Sequence, residues 1–171
     1  MNSRIVIASL LAGTMVLGAC KKQPPESLPP EPVPTTTATP TPTPTTGVAA
    51  LGTQAHFENA VSGRNVIYFD TDRYNIDSQD AAALQTQAQY LQTYPNISIT
   101  VEGHADERGT REYNLALGER RANSAKNYLV GLGVAANRIA TVSYGKERPV
   151  AMGSDESAWA RNRRAVSVVI N

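Results

Sequence analysis

The spacing of apolar residues changes along the chain, and each spacing predicts a different kind of element. In one segment Ile97, Ile99 and Val101 alternate with polar residues, which is the period of a strand with one buried face. We expect Gly103 to end that strand. Together with short apolar runs rich in β-branched and aromatic residues, this pattern predicts four strands, at about 66–69, 97–102, 139–144 and 165–170.

Between the strands, apolar residues recur every three or four positions, the spacing of a helix with one buried face. The first such stretch follows an N-cap at Asp77 and ends before Pro95; its core positions are Ala81, Leu84, Ala88 and Leu91. The second runs from about 111 to 130, before the stop signals Gly131 and Gly133; its core positions are Leu115, Ala122, Ala125, Leu129 and Leu132. A short helix with an acidic start is predicted near 154–160.

The predicted elements follow the order β-α-β-α-β-(α)-β and share one core. This order favours an α/β fold, an α+β sandwich in which a mixed four-stranded sheet carries helices mainly on one face. We expect this domain to span residues 54–171, because the residues before it have a different composition that cannot form a core.

Residues 1–20 are typical of an export signal. Arg4 supplies the positively charged n-region, and the apolar run 5–17 is shorter than a typical transmembrane helix. The run ends in Leu17-Gly18-Ala19-Cys20, and because Cys20 is the only cysteine, no disulfide forms within the chain. This ending resembles the bacterial lipobox, which implies cleavage before Cys20 and lipidation of that residue; the alternative is an ordinary signal with an incidental cysteine.

The lipobox resemblance also implies a location. Several acyl chains anchor a protein stably to a membrane, whereas one chain gives only marginal binding. Lys21 and Lys22 follow Cys20. Since an Asp at the second mature position is the usual signal for inner-membrane retention, the resemblance implies the outer membrane, with the domain facing the periplasm.

The composition of residues 21–53, which is rich in proline and threonine, predicts a disordered linker. Nine of the 11 prolines and eight threonines lie between 21 and 47. Alternating Thr-Pro lacks half its backbone donors and favours extended conformations, so this segment is expected to be a stiff, solvated spacer. At about 3.1 Å per residue its reach is at most on the order of 80 Å.

The charge balance argues against a nucleic-acid partner. The chain has 16 basic and 15 acidic side chains, and removal of residues 1–20 takes away Arg4 alone. The mature chain is therefore neutral overall, whereas binding to nucleic acid depends on clustered positive charge.

The loop 104–110 and the helix after it carry the residues most typical of a binding site. Asn114, Leu117 and Arg121 are spaced i, i+3 and i+7, so they line one stripe of the helix, offset from its core stripe. This stripe predicts that Arg121 faces a groove near Asp106. A carboxylate and a guanidinium presented together suit a zwitterion such as an amino acid head group. Spacing alone equally allows an Asp106–Arg121 salt bridge whose only role is to join the loop to the helix. In that case the domain would be a structural scaffold for protein partners.

Longer motifs point to a family. They are VEGHADERGT at 101–110 with Tyr113-Asn114 and LGERRA at 117–122, YFDTD at 68–72, VSYGKE at 142–147 and NRRAV at 162–166. Together they resemble the OmpA-like peptidoglycan-binding domain over about residues 64–171, in the form found in the lipoproteins of the Tol-Pal system.

The resemblance implies a function and a site. The function is a non-covalent tether between the outer membrane and peptidoglycan, with TolB and other Tol proteins as partners, in envelope integrity and cell division. The site is a groove that holds the free amino acid end of a meso-diaminopimelate stem peptide, its ammonium and carboxylate bound by Asp106 and Arg121. Further contacts are implied at Thr71 and Asp72, and Arg108, Asn114 and Leu117 are additional candidates.

This chain departs from the family pattern at two positions. Thr71 stands where relatives have a second aromatic residue, and Ala105 stands where they often have Thr. Both departures concern the fine contacts of the groove. Arg163 and Arg164 have two possible roles: they reach the wall ligand, or they satisfy helix carbonyls and Asp70 or Asp72, and we favour the structural role for one of them.

An enzyme is the rival interpretation, and the residues do not favour it. The chain has two histidines, His56 and His104, which lie far apart and lack metal-ligand spacing. Carboxylates are present, but none comes with a nucleophile and an orienting base. We therefore predict no catalytic residues, no metal and no cofactor.

Overall fold

Four helices and four strands form in the part of the chain that the computed structural model describes, residues 49–170. The predicted signal, Cys20 and most of the linker lie outside these residues. The elements are α1 (Gln54–Ala60), β1 (Val66–Tyr68), α2 (Ser78–Thr93), β2 (Ser98–His104), α3 (Arg111–Gly131), a short 3-10 helix (Ala136–Arg138), β3 (Ile139–Gly145), α4 (Glu156–Asn162) and β4 (Arg164–Ile170).

Each α-helix begins where a short polar side chain satisfies a free backbone N–H. The four N-caps are Thr53, Asp77, Thr110 and Asp155, and each side chain accepts from an N–H of the first turn. The predicted cap at Asp77 is confirmed, and α2 ends before Pro95 as expected. Helix α1 was not predicted, because it is seven residues long and buries only Phe57, too little for an apolar period.

The four strands form one mixed sheet in the order β1-β4-β2-β3. Strand β4 runs antiparallel to both β1 and β2, and β2 pairs in parallel with β3. The mixed four-stranded sheet predicted from the order of elements is confirmed. Because β4 is the last strand in the chain but lies second in the sheet, its N-terminal end sits beside the end of β1.

A single apolar cluster fills the space between the sheet and the helices. It takes alternate residues of the strands, such as Ile99 and Val101, and the predicted faces of the two long helices, such as Leu91 and Leu129. Three predicted core residues, Ala81, Leu115 and Leu132, are only partly buried. No helix among residues 49–170 is both long and apolar enough to cross a membrane.

Strand β2 continues past Gly103 to His104, so the expectation that Gly103 ends it is wrong. The parallel register with β3 shifts between Gly103 and His104. A Cβ atom at Gly103 would overlap the carbonyl oxygen of Gly118 in α3. Glycine at this position therefore serves the close approach of helix to strand, not the end of the strand.

Candidate binding groove

Two loops at one end of the sheet enclose a groove of about 220 Å³. One loop follows β1, and the other joins β2 to α3. The residues that line it, which define the candidate groove, are Thr71, Asp72, Asp106, Arg108, Gly109 and Tyr113. Four of the residues predicted from the sequence, Thr71, Asp72, Asp106 and Arg108, are thus brought together from positions up to 37 residues apart.

Asp106 is the buried carboxylate of the candidate groove, with 7% of its surface exposed. Its Oδ1 accepts from the backbone N–H and the Nε of Arg108, both at 3.1 Å, and its Oδ2 accepts from Arg108 Nη2 at 2.6 Å. Arg163 Nη1 lies 3.5 Å from the same Oδ2. Burial alone would raise the pKa of Asp106, but the hydrogen bonds from Arg108 and Arg163 outweigh it and the pKa is lowered. Asp106 is therefore ionised at neutral pH.

Arg108 supplies the exposed positive charge of the candidate groove. Besides its bonds to Asp106, its Nη2 donates to Thr71 Oγ1 at 3.2 Å and so connects the two loops. Its guanidinium carbon lies 4.2 Å from the centre of the Trp159 ring, a cation–π distance. Trp159 in turn donates from Nε1 to Glu107 Oε1 at 3.0 Å.

Arg121 lies beneath the loops and has no exposed surface. Its Nε donates to the carbonyl of Arg73 at 2.9 Å, Nη1 to that of His104 at 2.8 Å and Nη2 to that of Asp70 at 3.0 Å. Burial lowers the pKa of Arg121 to about 10, so it stays charged at neutral pH. Arg121 thus braces both loops from within, instead of lining the candidate groove as the helix stripe predicts.

The Asp106–Arg121 salt bridge that spacing left open is not formed within residues 49–170. Asp106 pairs with Arg108 and Arg163, whereas backbone carbonyls take the guanidinium of Arg121. The charges of Asp106 and Asp72 still act on Arg121 through space. The helix stripe therefore identified Arg121 as a neighbour of the site but not the groups that Arg121 and Asp106 bond.

Asp72 and Tyr113 form the outer wall of the candidate groove. Tyr113 donates from its hydroxyl to Asp72 Oδ1 at 3.1 Å. Asp72 has a positive φ of 55°, a conformation that few residues other than glycine adopt and that often marks functional loops. Tyr113 was not among the site residues predicted from the sequence. It lies one turn before Leu117 on α3, and this position could have identified it as part of the same stripe.

The other two helix candidates support the site from behind. Asn114 is buried, and its Nδ2 donates to the carbonyl of Arg108 at 2.7 Å, which holds the loop onto α3. Leu117 is also buried and lines a small neighbouring cavity of about 50 Å³, which shares Asp72 and Tyr113 with the candidate groove. Both residues shape the site without lining the candidate groove.

The arginine pair at the start of β4 divides between two roles. Arg163 donates from Nε to the carbonyl of Phe69 at 2.9 Å, and its guanidinium also contacts Glu156 and Asp106. Arg164 donates to the carbonyls of Asn162 and Arg148. Arg164 thus has the structural role that we favoured for one of the pair, while Arg163 supports a site residue. Neither bonds the carboxylates of Asp70 or Asp72.

The arrangement combines two carboxylates, Asp72 and Asp106, with the partly exposed cation of Arg108 in one groove. Such a surface matches a ligand that carries both an ammonium and a carboxylate. Among residues 49–170, no three side chains of the His, Cys, Asp or Glu type are placed to hold a metal ion.

Comparisons with known proteins find close relatives of this chain. A family model described as the OmpA family matches residues 68–163. The peptidoglycan-associated lipoprotein of Rhizobium meliloti (strain 1021) is 56% identical over 123 residues, which cover 72% of this chain and 69% of the relative. The peptidoglycan-associated lipoprotein of Brucella melitensis biotype 1 is 51% identical over a match that covers 72% of each chain.

Solved structures share the fold. The crystal structure of the peptidoglycan-associated lipoprotein from Burkholderia pseudomallei is 47% identical, with a TM-score of 0.64, and the match covers 66% of this chain and 96% of that one. The C-terminal domain of Helicobacter pylori MotB is 21% identical, with a TM-score of 0.58 over 62% of this chain and 84% of that one. The second likeness shows the fold alone.

Proposed function

Because the chain belongs to the OmpA family, and within it to the peptidoglycan-associated lipoproteins, we propose that it tethers the outer membrane to the cell wall. The proposed ligand is the free amino acid end of a meso-diaminopimelate stem peptide, held non-covalently in the candidate groove. The association with peptidoglycan rests on the names of the relatives. The choice of the stem peptide's amino acid end as the bound part rests on the chemistry of the candidate groove.

The observation that carries the proposal is the position of Asp106. Its ionised, largely buried carboxylate lines a groove together with a second carboxylate, Asp72, and the partly exposed cation of Arg108. An ammonium group suits the two aspartates, and a carboxylate suits a guanidinium. Both groups stand on one carbon atom at the free end of diaminopimelate, so a single short ligand satisfies the site.

Arg121 has a supporting part in this proposal. Its three hydrogen bonds hold the carbonyls of Asp70, Arg73 and His104, and so keep the two loops of the candidate groove in place. The buried positive charge of Arg121 beneath the loops also favours an anionic group in the candidate groove through space.

The anchor and the partners belong to the same proposal. Lipidation of Cys20 would hold the chain in the outer membrane, and the linker would let the domain reach the wall. We also propose TolB and other Tol proteins as partners, and a role in envelope integrity and cell division, on the strength of family membership.

The test is sedimentation of the mature chain with purified sacculi. Asp106→Asn keeps the size of the side chain and removes the charge that attracts the ammonium, so it is expected to weaken binding at least about tenfold. Glu119→Gln is the matched control, because Glu119 is an exposed carboxylate on α3 outside the candidate groove and should leave binding unchanged. Thermal unfolding of each variant checks that the domain is folded.

Wild-type binding by a folded Asp106→Asn variant would reject the candidate groove as the wall-binding site. Asp106 is the better probe than Arg121, since an Arg121→Ala change also removes three hydrogen bonds that hold the loops. Loss of binding in that variant would not separate contact with the ligand from collapse of the site.

A further inference from the structure

The carboxylate of Asp106 has no acceptor position left for a ligand. An ionised carboxylate accepts about four hydrogen bonds. Four donors are in place: the backbone N–H, Nε and Nη2 of Arg108, and Nη1 of Arg163. An ammonium group can therefore bind Asp106 only if one of these donors leaves.

The side chain of Arg108 is the donor best able to leave. Arg163 has a side chain only 7% exposed, and further bonds to the carbonyl of Phe69 and to Glu156 hold it in place. The side chain of Arg108 is 38% exposed, and its other contacts are with Thr71 Oγ1 and the face of the Trp159 ring. Rotation of the Arg108 side chain would free one acceptor position on each oxygen of Asp106, while the backbone N–H of Arg108 and Nη1 of Arg163 stay in place.

Separation of the Arg108 guanidinium from Asp106 costs free energy unless the guanidinium then binds another anion. It gives up two charge-assisted hydrogen bonds, which are stronger than bonds between neutral groups. A ligand with only an ammonium offers no replacement. A ligand with a carboxylate on the same carbon offers a bidentate partner in the groove where Arg108 already lies.

We propose that Arg108 makes the candidate groove selective for an amino acid end over a simple amine. In the free protein it occupies the ammonium position on Asp106, and on binding it moves to the carboxylate of the ligand. This inference rests on the proposed function and adds the residue that determines specificity in the same groove.

The chemistry of the stem peptide provides a matched pair of ligands. Lysine is diaminopimelate without the terminal carboxylate, so a tripeptide of L-Ala, γ-D-Glu and meso-diaminopimelate differs from its lysine counterpart only at the proposed contact with Arg108. Calorimetry with the full chain in detergent measures the dissociation constants of the two tripeptides. The ratio of the constants is the preference for the carboxylate.

The wild-type chain is expected to prefer the diaminopimelate tripeptide by about 100-fold, since both the new bond and the released cation contribute. In Arg108→Met the diaminopimelate tripeptide loses its carboxylate partner, whereas the lysine tripeptide no longer competes with an internal cation. Their affinities should therefore converge to within about fivefold. Arg108→Lys keeps the positive charge but lacks the paired N–H donors of a guanidinium, and should prefer the diaminopimelate tripeptide by about tenfold.

Arg111→Met is the control for loss of one positive charge near the loop. Arg111 is exposed, pairs among residues 49–170 only with Glu147 at 3.4 Å and does not line the candidate groove. The Arg111→Met variant should therefore keep the wild-type preference for the diaminopimelate tripeptide. A wild-type preference in both folded Arg108 variants would overturn the role of Arg108 while leaving the wall-binding groove intact. A wild-type chain that binds neither tripeptide nor sacculi would instead overturn the proposed function and this inference with it.

Discussion

Arg121 donates to the carbonyl of His104 across 2.8 Å, which ties the last residue of β2 to the middle of α3. The same guanidinium reaches the carbonyls of Asp70 and Arg73, on either side of Thr71 and Asp72. Both loops of the candidate groove therefore depend on one buried side chain. The position of Asp106, two residues after His104, follows from this contact.

Arg121→Lys should destabilise the domain by about 3 kcal/mol, because a point charge cannot replace three planar donors and at least two bonds to a charged group are lost. Urea unfolding followed by the fluorescence of Trp159, the single tryptophan, measures the change. Arg120→Lys is the control, since Arg120 is exposed and should cost less than about 0.5 kcal/mol. Unchanged stability in Arg121→Lys would show that the brace is unimportant to the fold.

The contact between Gly103 and Gly118 should tolerate no side chain. A Cβ at Gly103 would overlap the Gly118 carbonyl oxygen, and a Cβ at Gly118 would lie 2.8 Å from the Gly103 carbonyl oxygen. Gly103→Ala and Gly118→Ala are each expected to destabilise the domain by about 3 kcal/mol through overpacking. Gly131→Ala, at the open end of α3, has nothing within 4 Å and should instead stabilise by up to about 1 kcal/mol. Thermal melts of the three variants compare them, and a mild Gly103→Ala would refute the close contact.

His104 should make the domain sensitive to mild acid. The ring is buried, and neither of its nitrogens has a hydrogen-bond partner among the described residues. Burial, with the charges of Arg164 and Arg148, lowers the pKa of His104 to about 4. Glu102 Oε2 lies 3.5 Å from Nε2 but makes no hydrogen bond with it, so the lost hydration of the ring is not offset.

The sign of the pH effect follows from that shift. The folded pKa lies below the unfolded value of about 6.5, so the stability from neutral His104 is present above pH 6.5 and is lost as the pH falls towards 4. Between pH 7.5 and pH 5 the free energy of unfolding should fall by about 2 kcal/mol. His104→Leu should remove most of this fall in urea titrations at the two pH values, and an equal fall in the variant would assign it to other groups.

Cys20→Ser should separate the anchor from the wall-binding domain. A serine at this position cannot carry the thioether-linked lipid, so the chain should no longer fractionate with membranes. Binding to purified sacculi should be unchanged, because the candidate groove lies within 49–170. A Cys20→Ser chain that stays in the membrane fraction after removal of residues 1–19 would count against lipidation.

Local patterns in the sequence predicted most of the elements. The alternation of Ile97, Ile99 and Val101 marked β2, the spacing from Leu84 to Leu91 marked α2, and Asp77 marked its start, because these signals depend only on neighbours along the chain. Helix α1 was missed for the same reason, since its short turn has almost no apolar period. The α/β class followed from the order of the predicted elements, whereas the grouping of Thr71, Asp72, Asp106 and Arg108 in one site came from the resemblance to a known family.

The tertiary structure decided which of these side chains pair. Asp106 bonds Arg163, 57 residues away, because β4 lies next to both β1 and β2, and no local spacing reports that neighbourhood. Arg121 lies too deep to form a salt bridge, so its charge goes to carbonyls and Arg108 takes the carboxylate. Residue type and period are properties of short segments, whereas burial and partner depend on how distant segments pack, and only the folded chain sets those.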